Sequence, residues 1–170
     1  MQVGVVIERR DAESEWIDHT WHVVAILPGA REIDGWVELE REAGRVRYHA
    51  ATMMLEIFKG ETEGYKYNLS LDPPVVFVVL DPDTEDETPL EITLATVCPY
   101  EAQDYLDGSE VLVETAAMPA AIAAWLADFV DKHHVDVPFK KRKRVPHPDT
   151  AAARNELILP PERPVRSGRG

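Results

Sequence analysis

Cysteine is nearly missing from this chain: Cys98 is the only one in 170 residues, which excludes an internal disulfide and any multi-cysteine zinc or iron–sulfur site. A reducing cytoplasm is the expected compartment. No apolar run approaches the ~20 residues that cross a bilayer, so a membrane helix is not expected. Glycine is sparse and scattered singly, and Gly29, Gly35 and Gly44 fall in turn-like stretches rather than between a strand and a helix, which disfavours a phosphate-cradling loop. The N-terminal stretch Met1–Ile7, followed by Glu8-Arg9-Arg10, lacks a preceding basic region and is too short for the apolar part of a signal peptide. It reads as a first strand.

Positive charge is also scarce until the end of the chain. Of 18 Lys/Arg and 31 Asp/Glu, residues 140–170 hold nine and three, leaving nine against 28 in residues 1–139. An acidic body of this kind repels nucleic acid and anionic membrane, and neither is expected as a partner. With 45% hydrophobic residues the chain can bury one core, predicted as a single β-rich domain over 1–139 followed by a basic, proline-containing flexible tail over 140–170. The run Lys140, Lys141, Arg142, Lys143 and Arg144 needs water, anions or an acidic surface to offset its self-repulsion. Docking to a protein partner is the functional reading; a solvated tail is the plain one.

Hydropathy patterning predicts an α+β fold, predominantly an antiparallel β-sheet of seven to nine strands curled into a partial barrel or sandwich, with one long C-terminal amphipathic helix and one short helix. Val3–Ile7 and Trp21–Leu27 suit strands, separated by a polar loop from Asp11 to Asp18; Trp36–Glu40 is a further candidate. Thr52–Lys59 and Tyr65–Asp72 both alternate apolar with polar residues, the pattern of a hairpin with one buried face. Val75–Leu80 is apolar at every position and should be a central strand, covered on both sides. Beyond the acidic stretch Asp81–Pro89, Leu90–Leu94 and Glu110–Glu114 read as strands, and Pro99 and Pro119 mark helix starts. Ile122, Trp125, Leu126, Phe129, Val130 and His133 fall on one helical stripe.

No residue pattern specifies a reaction. His19 and His22 straddle a strand start on opposite faces, and His133 and His134 are about 100° apart on a helix, so neither pair makes a metal site by itself; no metal and no cofactor are expected. Cys98 precedes a helix N-terminus, which could lower a thiol pKa, but no base stands near it in sequence and a buried structural role is the plainer one. Should a pocket exist, Tyr48, His49, Glu101 and Asp104 are the residues that could converge on it from different elements.

Three strings stand out together: Val46-Arg47-Tyr48-His49-Ala50-Ala51, Pro99-Tyr100-Glu101-Ala102-Gln103-Asp104-Tyr105, and His133-His134-Val135 with Pro138-Phe139 running into Lys141-Arg142-Lys143-Arg144. They resemble an uncharacterised bacterial family found beside genes for molybdenum-dependent formate dehydrogenase and its maturation factors, over about Val3 to Arg144. Some members of that family carry the label molybdopterin-guanine dinucleotide biosynthesis protein A. Guanylyltransferases of that kind have a glycine-rich N-terminal loop, whereas Val3–Arg10 has one glycine. The resemblance implies a non-catalytic accessory or maturation factor that binds the dehydrogenase or a maturation protein. The alternative is a small enzyme or cofactor-binding module of molybdenum cofactor metabolism.

Overall fold

Residues 1–14, 17–82, 90–108 and 110–136 are described by the computed structural model; the predicted tail 140–170, with Lys140–Arg144, lies outside them, as does most of the acidic loop after Asp81. Within them the chain is α+β, with seven strands in two antiparallel sheets and three helices. Sheet A runs β2-β1-β4-β3, built from β1 (Gln2–Ser14), β2 (Ile17–Pro28), β3 (Val37–Glu42) and β4 (Arg45–Met54). Sheet B runs β6-β5-β7, from β5 (Val75–Asp81), β6 (Glu91–Thr96) and β7 (Leu112–Ala117). The helices are α1 (Thr62–Leu69), α2 (Pro99–Gly108) and α3 (Ala120–His133). Met1–Val135 forms one compact unit.

Period-two patterning decides what lies inside. Val3, Val5 and Ile7 of β1 share a core with Val76, Val78 and Leu80 of β5, all essentially without exposure. Registers slip at Val5/Val6 against β4 and at Val6/Ile7 against β2, so both neighbours of β1 carry a bulge at the same level, a device that bends and twists a sheet. β5 is the middle strand of its sheet, and Val79 on its other face is buried too, as its unbroken apolar sequence requires. Ile122, Leu126 and Val130 carry α3 into this core, with Trp125 and Phe129 partly buried at its margin; full burial of each aliphatic side chain contributes about 1.5–3 kcal/mol. A carboxylate joins the sheets at their edges: Glu114 of β7 accepts the Val23 N–H of edge strand β2 at 2.6 Å and lies 3.3 Å from His22 Nδ1.

Two segments differ from the pattern reading. The expected hairpin between Thr52–Lys59 and Tyr65–Asp72 does not form: β4 stops at Met54, a 3-10 turn covers Lys59–Glu61, and Thr62–Leu69 is helix α1. What overrides the alternation is polar burial at helical spacing, since Thr62, Tyr65 and Asn68 are buried while Tyr67 is 56% exposed. Asn68 then makes the helix necessary, because its Nδ2 donates to the Val75 and Val97 carbonyls, each at 2.8 Å, and its Oδ1 accepts the Val75 N–H at 3.0 Å. The tyrosine is anchored likewise: its hydroxyl donates to Glu61 at 2.6 Å and accepts the Phe58 N–H, and burial pushes its pKa up. The second difference is at Asp11–Asp18, where β1 and β2 continue as a long two-stranded arm instead of entering a loop, with Asp11 paired to His19 at 3.3 Å.

Candidate functional site

Sheet A has one face in the core and one outer face, which no helix covers among the described residues. On the outer face, Gly4, Val6, Glu8 and Arg10 alternate along β1, opposite Leu27 and Ala25 of β2 and His49 and Arg47 of β4. Here Val6, Val24, Ala25, Leu27, Leu39, Glu40 and Arg47 line an open trough of about 460 Å³. Its floor is Val6 and its banks are Leu27 and Leu39, which are 36% and 51% exposed. Gly4 continues the floor, and only glycine fits: a Cβ there would stand 2.5 Å from His49 Nε2 and 2.8 Å from the Ala30 methyl group.

One end of the trough is charged, and its charges are spent on each other. Glu8 is fully buried, with Oε1 taking Arg10 Nε at 2.5 Å and Oε2 taking Arg47 Nε at 2.6 Å, so the Arg47 and Arg10 hydrogen bonds hold its carboxyl below the ordinary value. Arg47 also reaches Glu40 at 3.0 Å. Further along β3 the same arrangement repeats in Arg41 with Glu38 and Arg45 with Glu42. A carboxylate whose two oxygens are both occupied by guanidinium groups is a poor general base, because protonation would cost it both bonds.

The core-side face of sheet A carries a second cluster beyond the aliphatic residues. Trp21 and Trp36 meet edge to face at 5.4 Å between ring centroids, and Tyr48 lies 5.6 Å from Trp36 and 6.3 Å from Trp21. Arg9 is the direct cross-strand neighbour of Trp21, and its Nε is buried without a hydrogen-bond partner among the described residues.

The four sequence-predicted pocket residues do not converge. Tyr48 belongs to the aromatic cluster. His49, its neighbour on β4, points to the opposite face and is 7% exposed. Its Nε2 lies 2.9 Å from Thr52 Oγ1, whose single hydrogen goes to the Arg31 carbonyl at 2.7 Å, so Nε2 of the imidazole is the donor in that contact. Glu101 and Asp104 stand on α2, and no hydrogen bond or ion pair links them to Tyr48 or His49. Cys98 is buried at the start of α2, and burial pushes its thiol up, against the lowering pull of the Glu101 and Tyr100 N–H groups. At the end of α3 the His133 ring packs on Phe129 at 4.6 Å, while His134 Nδ1 lies 3.2 Å from Thr62 Oγ1. No group of three or more His, Cys, Asp or Glu among the described residues could hold a metal ion, and none of their helices is long and apolar enough to cross a membrane.

The trough residues Leu27, Leu39, Glu8 and Arg47 were not singled out by sequence pattern. Their signal was present in Gly4-Val5-Val6-Ile7-Glu8, where alternation places an acid in line with small and apolar residues, and in Val37-Glu38-Leu39, an edge strand with exposed aliphatic side chains.

Fold and surface together define a class, an α+β protein whose four-stranded sheet leaves an apolar trough open beside a closed network of ion pairs. More particularly, the family model described as "Protein of unknown function (DUF3305)" matches residues 2–143, and the chain belongs to that family. No curated protein and no solved structure matches the chain.

Proposed function

We propose that the protein is a non-catalytic accessory or maturation factor that acts by binding protein, with a molybdenum-dependent formate dehydrogenase or one of its maturation factors as the partner. The observation that carries this reading is the charge pairing around the trough. Glu8, Arg10, Arg47 and Glu40 are committed to one another, so the surface offers aliphatic area and shape rather than a free acid, base or nucleophile. The trough would take an apolar segment of the partner between Leu27 and Leu39. The identity of that partner rests on the resemblance of the strings around Tyr48, Tyr100 and His133, and the basic run Lys140–Arg144 would add cations for an acidic patch on it. Retrieval of the tagged protein from its own host under gentle conditions should bring down the dehydrogenase or a maturation factor, and a Leu27→Ser/Leu39→Ser variant should bring down less. Recovery of neither by the wild type would contradict the reading.

A second reading, a module that binds a cofactor of molybdenum metabolism, is favoured by one observation, the unsatisfied Arg9 Nε beside the Trp21, Trp36 and Tyr48 rings. Melting curves with molybdopterin species, GTP and divalent metals separate the two, because a ligand at 100 times its dissociation constant stabilises by about 2.7 kcal/mol. The accessory reading predicts no shift.

A further inference from the structure

Helix α2 presents a face that nothing in the described structure covers. Of its residues only Ala102 is buried, while Tyr100, Tyr105 and Leu106 are 56%, 38% and 52% exposed. Leu106 lies one turn beyond Ala102, so the stripe that anchors the helix runs on past the core into solvent. The Tyr100 ring packs over Gly64 of α1, where a Cβ would come within 3.1 Å of it. Tyr67, one turn along α1 from Gly64 and likewise exposed, extends the aromatic surface.

The charge on this face says what would cover it. Glu101, Asp104 and Asp107 lie on α2, which contains no Lys or Arg. Among the described residues none of the three has an ion-pair partner; Asp107 accepts only the Gln103 amide, at 2.9 Å. Glu101 sits in the first turn, where the helix dipole favours an acid, but Asp104 and Asp107 lie toward the opposite end, where it does not. Tyr100, Asp104 and Asp107 fall at i, i+4 and i+7, and Tyr105 follows Glu101 at i+4, so rings and carboxylates interleave on the surface.

We propose that α2, with Tyr67 of α1, docks a basic segment of a protein partner. Its arginine or lysine side chains would lie over the tyrosine rings and pair with Glu101, Asp104 and Asp107, while an apolar residue of the segment covers Leu106. The proposal rests on the reading of this protein as a protein-binding factor and assigns it a second contact, separate from the trough. The probe is a fluorescently labelled synthetic peptide of alternating arginine and leucine, with an alternating glutamate and leucine peptide as control, titrated with the full chain and followed by anisotropy. The wild type should bind the arginine peptide and ignore the control, and binding should fall away at about 1 M salt, where the screening length is ~3 Å. Glu101→Gln/Asp104→Asn/Asp107→Asn should weaken it by about tenfold, the loss of three exposed ion pairs. Tyr100→Ala/Leu106→Ala should weaken it comparably, and Leu27→Ser/Leu39→Ser should leave it unchanged. No binding by the wild type, or equal binding by the charge variant, would overturn the proposal. So would dimerisation of the chain alone that the charge variant abolishes, since the occupant would then be a second copy. Equal retrieval of the host partner by wild type and both α2 variants, with loss in the trough variant, would sink this face and leave the accessory reading standing.

Discussion

In sheet A every acid beside the trough or along β3 holds an arginine; on α2 none of three carboxylates does. The two regions put the same side-chain chemistry to different uses. On the sheet two pairs lie within β1 and β3 and three cross to a neighbouring strand, where they bear on the register between β1, β4 and β3, and their value is collected on folding. On the helix the charges do little for the fold, and Asp104 and Asp107 act slightly against it. Substitutions should therefore change stability on the sheet and association on the helix.

The largest effect should come from the core that supports both regions. Leu126→Ala removes a fully buried side chain and should cost about 2–5 kcal/mol in urea or thermal unfolding; a variant as stable as the parent would mean that α3 does not close this core. Next comes Glu8→Ala, which strands Arg47 and Arg10. Breaking a buried pair costs about 3–5 kcal/mol, but the arginine heads here reach solvent, so a loss of about 2 kcal/mol is expected. An unchanged unfolding midpoint would erase the contrast with α2.

Acid sharpens the comparison further. The folded-state pKa of Glu8 is depressed from 4.5, so its stabilising contribution is present above that value and is lost as pH falls through the lower folded-state pKa. The stability gap between wild type and Glu8→Gln should hold steady from neutral pH down to about 4.5 and close below it. A gap that widened on acidification would reverse the sign of the account. The smallest effect is on α2, where Glu101→Gln/Asp104→Asn/Asp107→Asn should alter stability by no more than a few tenths of a kcal/mol, because exposed helix charges count for little.

Much of the fold was legible because its strands keep a strict period. β5 announced itself by six consecutive apolar residues, and α3 by a stripe that the structure buries at Ile122, Leu126 and Val130. The failure at Tyr65–Asp72 has a specific cause: Asn68, a polar residue, is a core residue because it satisfies three backbone groups of β5 and the chain after β6, and a hydropathy pattern assigns such a residue to the surface. The trough was illegible for a related reason. Its floor and banks come from three strands far apart in sequence, and the acid that marks it, Glu8, is buried only because Arg10 and Arg47 fold onto it. Adjacent residues Tyr48 and His49 were expected in one pocket, yet a strand sends neighbours to opposite faces.

Hydrogen exchange of the backbone amides, with and without the purified molybdenum formate dehydrogenase of the same host, tests most directly the claim that this protein works by binding through these surfaces. The account predicts slowed exchange on complex formation in two separate stretches, the trough walls at 24–27 and 37–40 and helix α2 at 99–108, with the core strands unchanged. Protection confined to the arm that carries Arg9 and Trp21, or no protection anywhere at saturating dehydrogenase, would contradict it.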